Sequence, residues 1–243
     1  PEGSDVWKYI ALGNKEGATV TDDGYRYRGL SYFTRLNYNY DDKYLLMFTY
    51  RADGSSKYNE RWGYFPSIGA AWVLSQESFM KEQNVFDYLK LRASWGKNGN
   101  ENIDDFRYAV FTATGNNYIL GHGESVINGV KANGMPNPDL KWEESEQTDI
   151  GLDFGFLSNA LTFSVDYYKK KTNGMLMTIA IPSYVGETKP IGNVGKMENS
   201  GVEFELGYKF NIADATFQIR GNASYLKNEL IELGNDTGWA AYD

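Results

Sequence analysis

No cysteine occurs anywhere in the chain. That removes disulfides, thiolate zinc sites and thiol catalysis together. Histidine is almost as scarce: the single one, His122, sits in Gly121-His122-Gly123 with nothing beside it to orient the ring. A Ser-His-Asp triad would have to use it, so no catalytic residue is assigned. No run of about 18 apolar residues exists, which excludes a transmembrane helix. It does not exclude a membrane, because barrel strands bury only alternate residues. A basic excess is missing too: 24 Lys and Arg stand against 32 Asp and Glu, a net charge of −8. A nucleic-acid partner wants a basic stripe and is not expected. The chain starts Pro-Glu-Gly-Ser without a signal peptide.

What is abundant is the aromatic ring, with 19 Tyr, 6 Trp and 16% aromatic residues in all. The rings fall into long stretches that alternate with period two. Ile150, Leu152, Phe154 and Phe156 share one face, opposite Asp149, Gly151, Asp153 and Gly155. Ser158-Asn159-Ala160 turns the chain, and Leu161, Phe163, Val165 and Tyr167 continue the apolar face. A second pair repeats the scheme: Val202 to Phe210 by twos, then Ala215 to Tyr225 by twos. Period two is the side-chain repeat of a strand. Long strands with one apolar and one charged face, joined by tiny polar turns, predict an antiparallel transmembrane β-barrel wall.

Along the chain, residues 1–22 are irregular and polar. About nine strands are expected after that: 24–40, 43–57, 63–75, 85–97, 106–119, 141–156, 160–175, 199–211 and 214–230. Short connections (Asp41-Asp42-Lys43, Ser158-Asn159-Ala160, Ile212-Ala213-Asp214) alternate with long ones at 97–106, 120–140, 176–198 and beyond 230. That is barrel topology with the long loops outside. Tyr38, Tyr40, Tyr44, Tyr64, Trp72, Trp95, Trp142, Tyr167, Tyr168, Tyr208 and Tyr225 lie near strand ends and suit an interfacial aromatic belt. Phe154 then faces lipid and Asp153 the lumen, so Phe154→Asp is expected to cost more than Asp153→Asn. Such a strand number does not close neatly, and 235–239 is turn-rich. The chain as a whole (1–243) therefore reads as a partial barrel domain, a piece of a longer barrel.

Several segments carry more than periodicity. Tyr50-Arg51-Ala52-Asp53-Gly54-Ser55-Ser56-Lys57-Tyr58 is followed by Trp62-Gly63-Tyr64-Phe65-Pro66-Ser67 and Ala70-Ala71-Trp72. Next come Tyr88-Leu89-Lys90-Leu91-Arg92-Ala93-Ser94-Trp95-Gly96 and Gly99-Asn100-Glu101-Asn102-Ile103. Asn137-Pro138-Asp139-Leu140-Lys141-Trp142-Glu143, then Asn193-Val194-Gly195 and Asn199-Ser200-Gly201-Val202-Glu203, complete the series. In order and spacing these resemble the SusC/RagA-type TonB-dependent outer-membrane transporters of Bacteroidetes. The resemblance implies a roughly 22-stranded barrel with a plugged lumen. It also implies a SusD-like surface lipoprotein as lid, and energy from TonB-ExbB-ExbD acting through the plug region. The plug, the N-terminal extension and the closing strands fall outside the matching segments. The cargo implied is an oligosaccharide, with peptides as the family's other class. The location implied is the outer membrane, in contact with its lipid.

The same segments also have a plain structural reading. Asp53-Gly54-Ser55-Ser56 is turn chemistry at a strand end, Phe65-Pro66-Ser67 a strand start, and Asn137-Pro138-Asp139 an extended turn. The small Gly69, Ala70 and Ala71 leave room for close plug packing. No metal site or cofactor is expected. Asn98, Asn100, Asn102 and Asp104 alternate oxygens like a calcium loop, but Ala109 stands where the distal Glu belongs. Glu143, Glu144 and Glu146 read as a solvated strand start, and Lys169-Lys170-Lys171 as a solvated face. Substrate contact is expected from aromatic and amide side chains on long loops: Asn116, Asn117, Tyr118, Tyr184 and Trp239. Rival readings are a soluble β-sandwich, as a glycan-binding module or glycan-active enzyme, and a complete small barrel.

Overall fold

Eight long strands pair into one antiparallel sheet in the computed structural model, which describes residues 24, 26–109, 111–114, 117–120, 125–127, 129–132 and 134–234. They begin with β1 (Gly29–Tyr40), β2 (Tyr44–Ser55), β3 (Trp62–Val73) and β4 (Tyr88–Asn100). Four three-residue strands follow: β5 (Thr112–Thr114), β6 (Tyr118–Leu120), β7 (Ser125–Ile127) and β8 (Val130–Ala132). The long series resumes with β9 (Glu143–Phe156), β10 (Leu161–Thr178), β11 (Ile191–Ile212) and β12 (Ala215–Glu232). The sheet order is β1-β2-β3-β4-β9-β10-β11-β12, while β5 pairs β8 and β6 pairs β7 as small separate ribbons. The strands β10, β11 and β12 run 18, 22 and 18 residues. A spanning strand needs about 9–11, so they extend well past a bilayer.

The tight turns gather at one end of the sheet. Asp41 and Asp42 take φ of 55° and 52°, the left-handed geometry that suits right-twisted hairpins. Leu157, Ser158 and Asn159 are all left-handed, at 55°, 59° and 61°. Asp87 stabilises this second turn: its Oδ2 accepts from the backbone N of Ser158 at 2.7 Å and of Asn159 at 3.3 Å. The same end also carries the longer connection 74–87, with 3-10 turns at Leu74–Gln76 and Ser78–Met80. The opposite end carries 56–61, 101–142 and 179–190. Short turns and long loops thus segregate as expected, with 74–87 and 56–61 as exceptions.

Register fixes the faces. Leu91, Leu152, Val165, Phe204 and Ala223 form one row across β4 to β12, and Lys90, Asp153, Ser164, Glu205 and Asn222 the neighbouring row on the other side. Phe86, Phe156, Phe154, Phe163 and Phe204 form a chain of ring contacts of 5.4–6.3 Å on the apolar face. A separate stack on the same face joins Tyr208, Phe210 and Phe217 at 5.4 and 5.5 Å.

One expected strand is lost, and both rival readings fail. The segment 106–119 is not a wall strand. β4 pairs directly with β9, from Asn100↔Glu143 to Tyr88↔Gly155, and leaves no place between them. Phe106 turns at φ 62°, and Tyr108, Ala109 and Phe111 belong to no strand, so the chain leaves the wall here. The soluble sandwich also fails: among the described residues no second sheet covers the apolar face, and Ile150 and Phe204 are exposed on it. The sheet is open, with β1 and β12 each having one neighbour, which excludes a closed small barrel among the described residues. Strand β11 also starts earlier than its alternation indicated, because Gly192 and Gly195 interrupt the pattern but not the pairing. The irregular 1–22 segment, Asn116, His122 and the 235–239 stretch with Trp239 lie outside the described residues.

Candidate functional site

On the polar face a charge network crosses three strands. Lys90 Nζ lies 3.0 Å from Asp153, and Arg92 Nε lies 3.2 Å from the same carboxylate. The Arg92 Nη2 reaches across β9 to Asp166 on β10 at 2.6 Å. Gly151 makes that reach possible, since a Cβ there would stand 2.2 Å from Asp166 Oδ1 and 2.8 Å from Arg92 Cζ. Ser164, Asp166, Glu203, Glu205, Asn222 and Ser224 line a 270 Å³ pocket beside it. Farther round the same face, on β2 and β3, Leu45, Met47, Gly69 and Ala71 replace charge with small and apolar groups. Ala70 falls on the opposite face, so only Gly69 and Ala71 of that small trio can meet a plug.

The loop end is tied by its own small core. Tyr58, Leu140 and Ile103 are its buried centre, and Trp142, Leu176 and Ile191 pack on it. Tyr58 is 0% exposed and stacks on Trp142 at 5.1 Å. Its hydroxyl donates to Asn100 O at 3.2 Å, and burial pushes its pKa well above the usual tyrosine range. The Asn137-Pro138-Asp139 turn is held by side-chain amides. Asn137 Oδ1 accepts from Asp139 N at 3.1 Å, and Asn137 Nδ2 donates to Ile191 O at 2.9 Å. Asn193 acts like a piece of strand. It accepts from Lys141 N at 2.8 Å and donates to Lys141 O at 2.8 Å and Gly174 O at 2.9 Å. Gly174 sits at φ 64° in a β10 bulge, where glycine is at ease. The sequence signatures therefore fasten loops 56–61 and 101–142 to each other and to the loop ends of β10 and β11.

Asn117, Tyr118 and Tyr184 sit on loops at this same end, Asn117 just before β6 and Tyr118 at its start. Tyr184 is 88% exposed in the 3-10 turn Ser183–Val185. The oxygen-rich stretch after β4 is committed to protein groups: Asn100 bonds Glu143 and the Asn102 backbone, and Asp104 pairs with Arg107. Among the described residues no group of His, Cys, Asp or Glu is arranged to hold a metal ion. Sequence reasoning missed the Arg92–Gly151–Asp166 crossing, because only register brings Gly151 between its two neighbours.

Comparison with known proteins fixes what kind of sheet this is. The family model for the TonB-dependent receptor-like β-barrel matches residues 4–241. The chain belongs to the TonB-dependent receptor β-barrel family. It is 37% identical to the TonB-dependent receptor SusC of Bacteroides thetaiotaomicron over 218 residues, 86% of this chain and 22% of SusC. It is also 37% identical to the TonB-dependent receptor P26 of Formosa agariphila, over 88% of this chain and 22% of that receptor. The chain thus spans about a fifth of these relatives. Its fold is like that of the RagAB peptide importer in its closed-closed state, with a TM-score of 0.76, 27% identity, and 96% of this chain but 26% of that one covered.

In a TonB-dependent receptor barrel of the outer membrane, the apolar face meets lipid and the polar face the lumen, with short turns toward the periplasm. The aromatic belt then has a definite structure. At the turn end Tyr40, Tyr44 and Trp72 line up with ring separations of 6.3 and 6.2 Å. Glu77 accepts from Tyr44 Oη at 2.6 Å and Trp72 Nε1 at 3.0 Å, and these bonds hold its carboxyl below the ordinary range. At the loop end Tyr32 stacks on Trp62 at 6.0 Å and Tyr50 on Tyr64 at 6.3 Å. Expected belt residues that belong elsewhere include Tyr168, which shares the lumen row of Asp149 and Gly201, Trp142, which packs in the loop core, and Trp95, which pairs with Ile68 away from both ends of β3.

Proposed function

We propose that the receptor to which this wall segment belongs imports an oligosaccharide across the outer membrane. A SusD-like lipoprotein lids it, and TonB with ExbB and ExbD drives it through protein outside these residues. The observation that carries this reading is the 37% identity to SusC along 86% of the chain. The polar lumen row supports it, because hydroxyl-rich cargo is passed along hydrogen-bonding walls, and import needs no covalent chemistry. Contact with cargo falls to Asn117, Tyr118 and Tyr184 at the loop end, together with Asn116 and Trp239, which lie outside the described residues. A peptide cargo is the second reading, favoured by the likeness to the RagAB peptide importer.

The test is deletion of the full-length receptor gene in its own host, followed by growth on defined oligosaccharides or defined peptides as sole carbon source. Growth lost on oligosaccharides and restored by the intact gene is the expected result. Growth lost on peptides alone moves the proposal to the second reading. Unchanged growth and uptake of both classes would sink it. A tagged receptor solubilised gently should also bring down a lipoprotein of the SusD type.

A further inference from the structure

We propose that a cleft on the lipid-facing side of the wall, at its outer rim, binds the sugar head of an outer-leaflet glycolipid. The cleft exists because the wall splits there. Pairing of β3 with β4 stops at Ser67↔Gly96, although β3 continues to Trp62 and β4 to Asn100. Pro66 stands at the break and has no N–H to donate to a ladder. Phe65 fills the gap from the lumen side, so close to Gly63 and Gly99 that a Cβ on either would stand 2.5 and 2.0 Å from its ring. Trp142 seals the gap above, edge-on to Phe65 at 5.6 Å, with its Nε1 donating to Arg61 O at 3.3 Å. What is left on the outer side is a 380 Å³ cleft lined chiefly by Glu60, Trp62, Tyr64, Lys141, Glu144 and Asn173. That is the lower end of the size range of small-molecule sites, about 300–1,000 Å³.

Its direction sets it apart from the transport path. Trp62 and Tyr64 share their face with Ile68 and Trp72, and Glu144 and Asn173 share theirs with Ile150 and Tyr167. Those are lipid-facing rows, so cargo in the lumen does not meet the cleft. Its height matters as well, since Trp62 and Tyr64 form the outer aromatic belt and place the opening at headgroup level. An occupant held there by its polar end and continuing down the apolar rows is a lipid.

The lining chooses the headgroup. Trp62 and Tyr64 are 38% and 54% exposed and offer ring surface. Asn173 is exposed, with no hydrogen bond to its side chain among the described residues, and the carboxylates of Glu60 and Glu144 accept from hydroxyls. The charges are already balanced: Lys141 pairs with Glu60 and Lys97 with Glu144, each at 3.3 Å. Among the residues lining the cleft no cation is left over for a phosphate. Ring faces beside amide and carboxylate groups suit a neutral sugar.

Full-length receptor in nanodiscs of phosphatidylethanolamine, doped with rough-type lipopolysaccharide or with lipid A lacking core sugars, tests this. Glycolipid retained per barrel after detergent exchange is counted by native mass spectrometry. Retention of the sugar-bearing form over lipid A is expected, with competition by the free core oligosaccharide. Asn173→Ala should weaken it about 3- to 10-fold, the range for one lost hydrogen bond. Tyr64→Ala should weaken it similarly, while Tyr64→Phe keeps the ring and the binding. Heat-modified gel mobility checks that each variant is folded. Equal retention of both glycolipids, or retention indifferent to Asn173→Ala and Tyr64→Ala in folded protein, overturns the proposal. Binding of the free oligosaccharide without retention of the glycolipid overturns it in favour of a soluble sugar.

Discussion

Gly151 shows how much one missing methyl group can decide. Alternation assigns it to the polar face but gives it no role there. Register gives it one, because the Arg92 guanidinium lies across it on the way to Asp166. Gly151→Ala should destabilise the barrel by about 1–3 kcal/mol, as overpacking does. Urea unfolding of the refolded receptor in vesicles would show it, and an unchanged midpoint would mean that Arg92 has another route. The neighbouring pair needs a revised ranking. Asp153 holds two cations, Lys90 and Arg92, so Asp153→Asn should cost about 1 kcal/mol instead of being tolerated. Phe154 lies only two residues from the Phe156 turn. The charge penalty of Phe154→Asp therefore falls to about 0–1 kcal/mol, against about 2–4 kcal/mol for Ile68→Arg near the midplane. Glu77 supplies a pH dependence. Its folded pKa is depressed, so its stabilisation is present above the unfolded value of about 4.3 and is lost as pH falls through the folded value. Wild type should exceed Glu77→Gln in unfolding free energy at pH 7, and the gap should narrow as pH falls below the unfolded value.

At the scale of elements, the sequence was legible wherever a strand lay between oil and water. Segments 141–156, 160–175 and 214–230 were found almost to their ends, because period two survives when one face is apolar and the other polar. Legibility failed where neither face was consistent. Tyr108, Ala109 and Phe111 put apolar residues on both sides and became loop, while Gly192 and Gly195 broke the pattern in a segment that is strand. Of the loop end, the motifs were legible but their partners were not, since Tyr58 meets Leu140 and Trp142 across more than 80 positions of sequence, a distance no local pattern spans. That long-range contact is measurable. Tyr58→Ala should remove a buried ring worth about 3–5 kcal/mol locally and loosen loop 101–142. Limited proteolysis should then cut within that loop sooner than in wild type, with the barrel core intact. Cleavage no faster than in wild type would mean that the amide clasp of Asn193 holds the loop without the ring.

For the whole wall, the two belts set the thickness of membrane it fits. From Tyr32 to Tyr40 are eight residue steps on one face of β1. At about 3.4 Å per residue and a tilt of about 40°, the belts stand about 21 Å apart along the normal, near the apolar band of about 25 Å for such barrels. Trp72 and Trp62 therefore belong at opposite interfaces, with Ile68 between them. Toward the loop end of β10 to β12 the same face turns charged, as Lys169 pairs with Glu198 at 2.7 Å and Lys227 with Glu229 at 2.8 Å. Charges there are harmless only if that row stands in water. Receptors carrying a single tryptophan at 72, at 62 or at 68 (Ile68→Trp), reconstituted with lipids brominated at graded depths, would locate each ring. Shallow bromines should quench Trp72 and Trp62 most, and deep bromines the residue at 68. Deep quenching at 72 would shift the apolar band toward the turns and place Lys43, which pairs with Asp41 and Glu77, in hydrocarbon, where such a cluster has no water to support it.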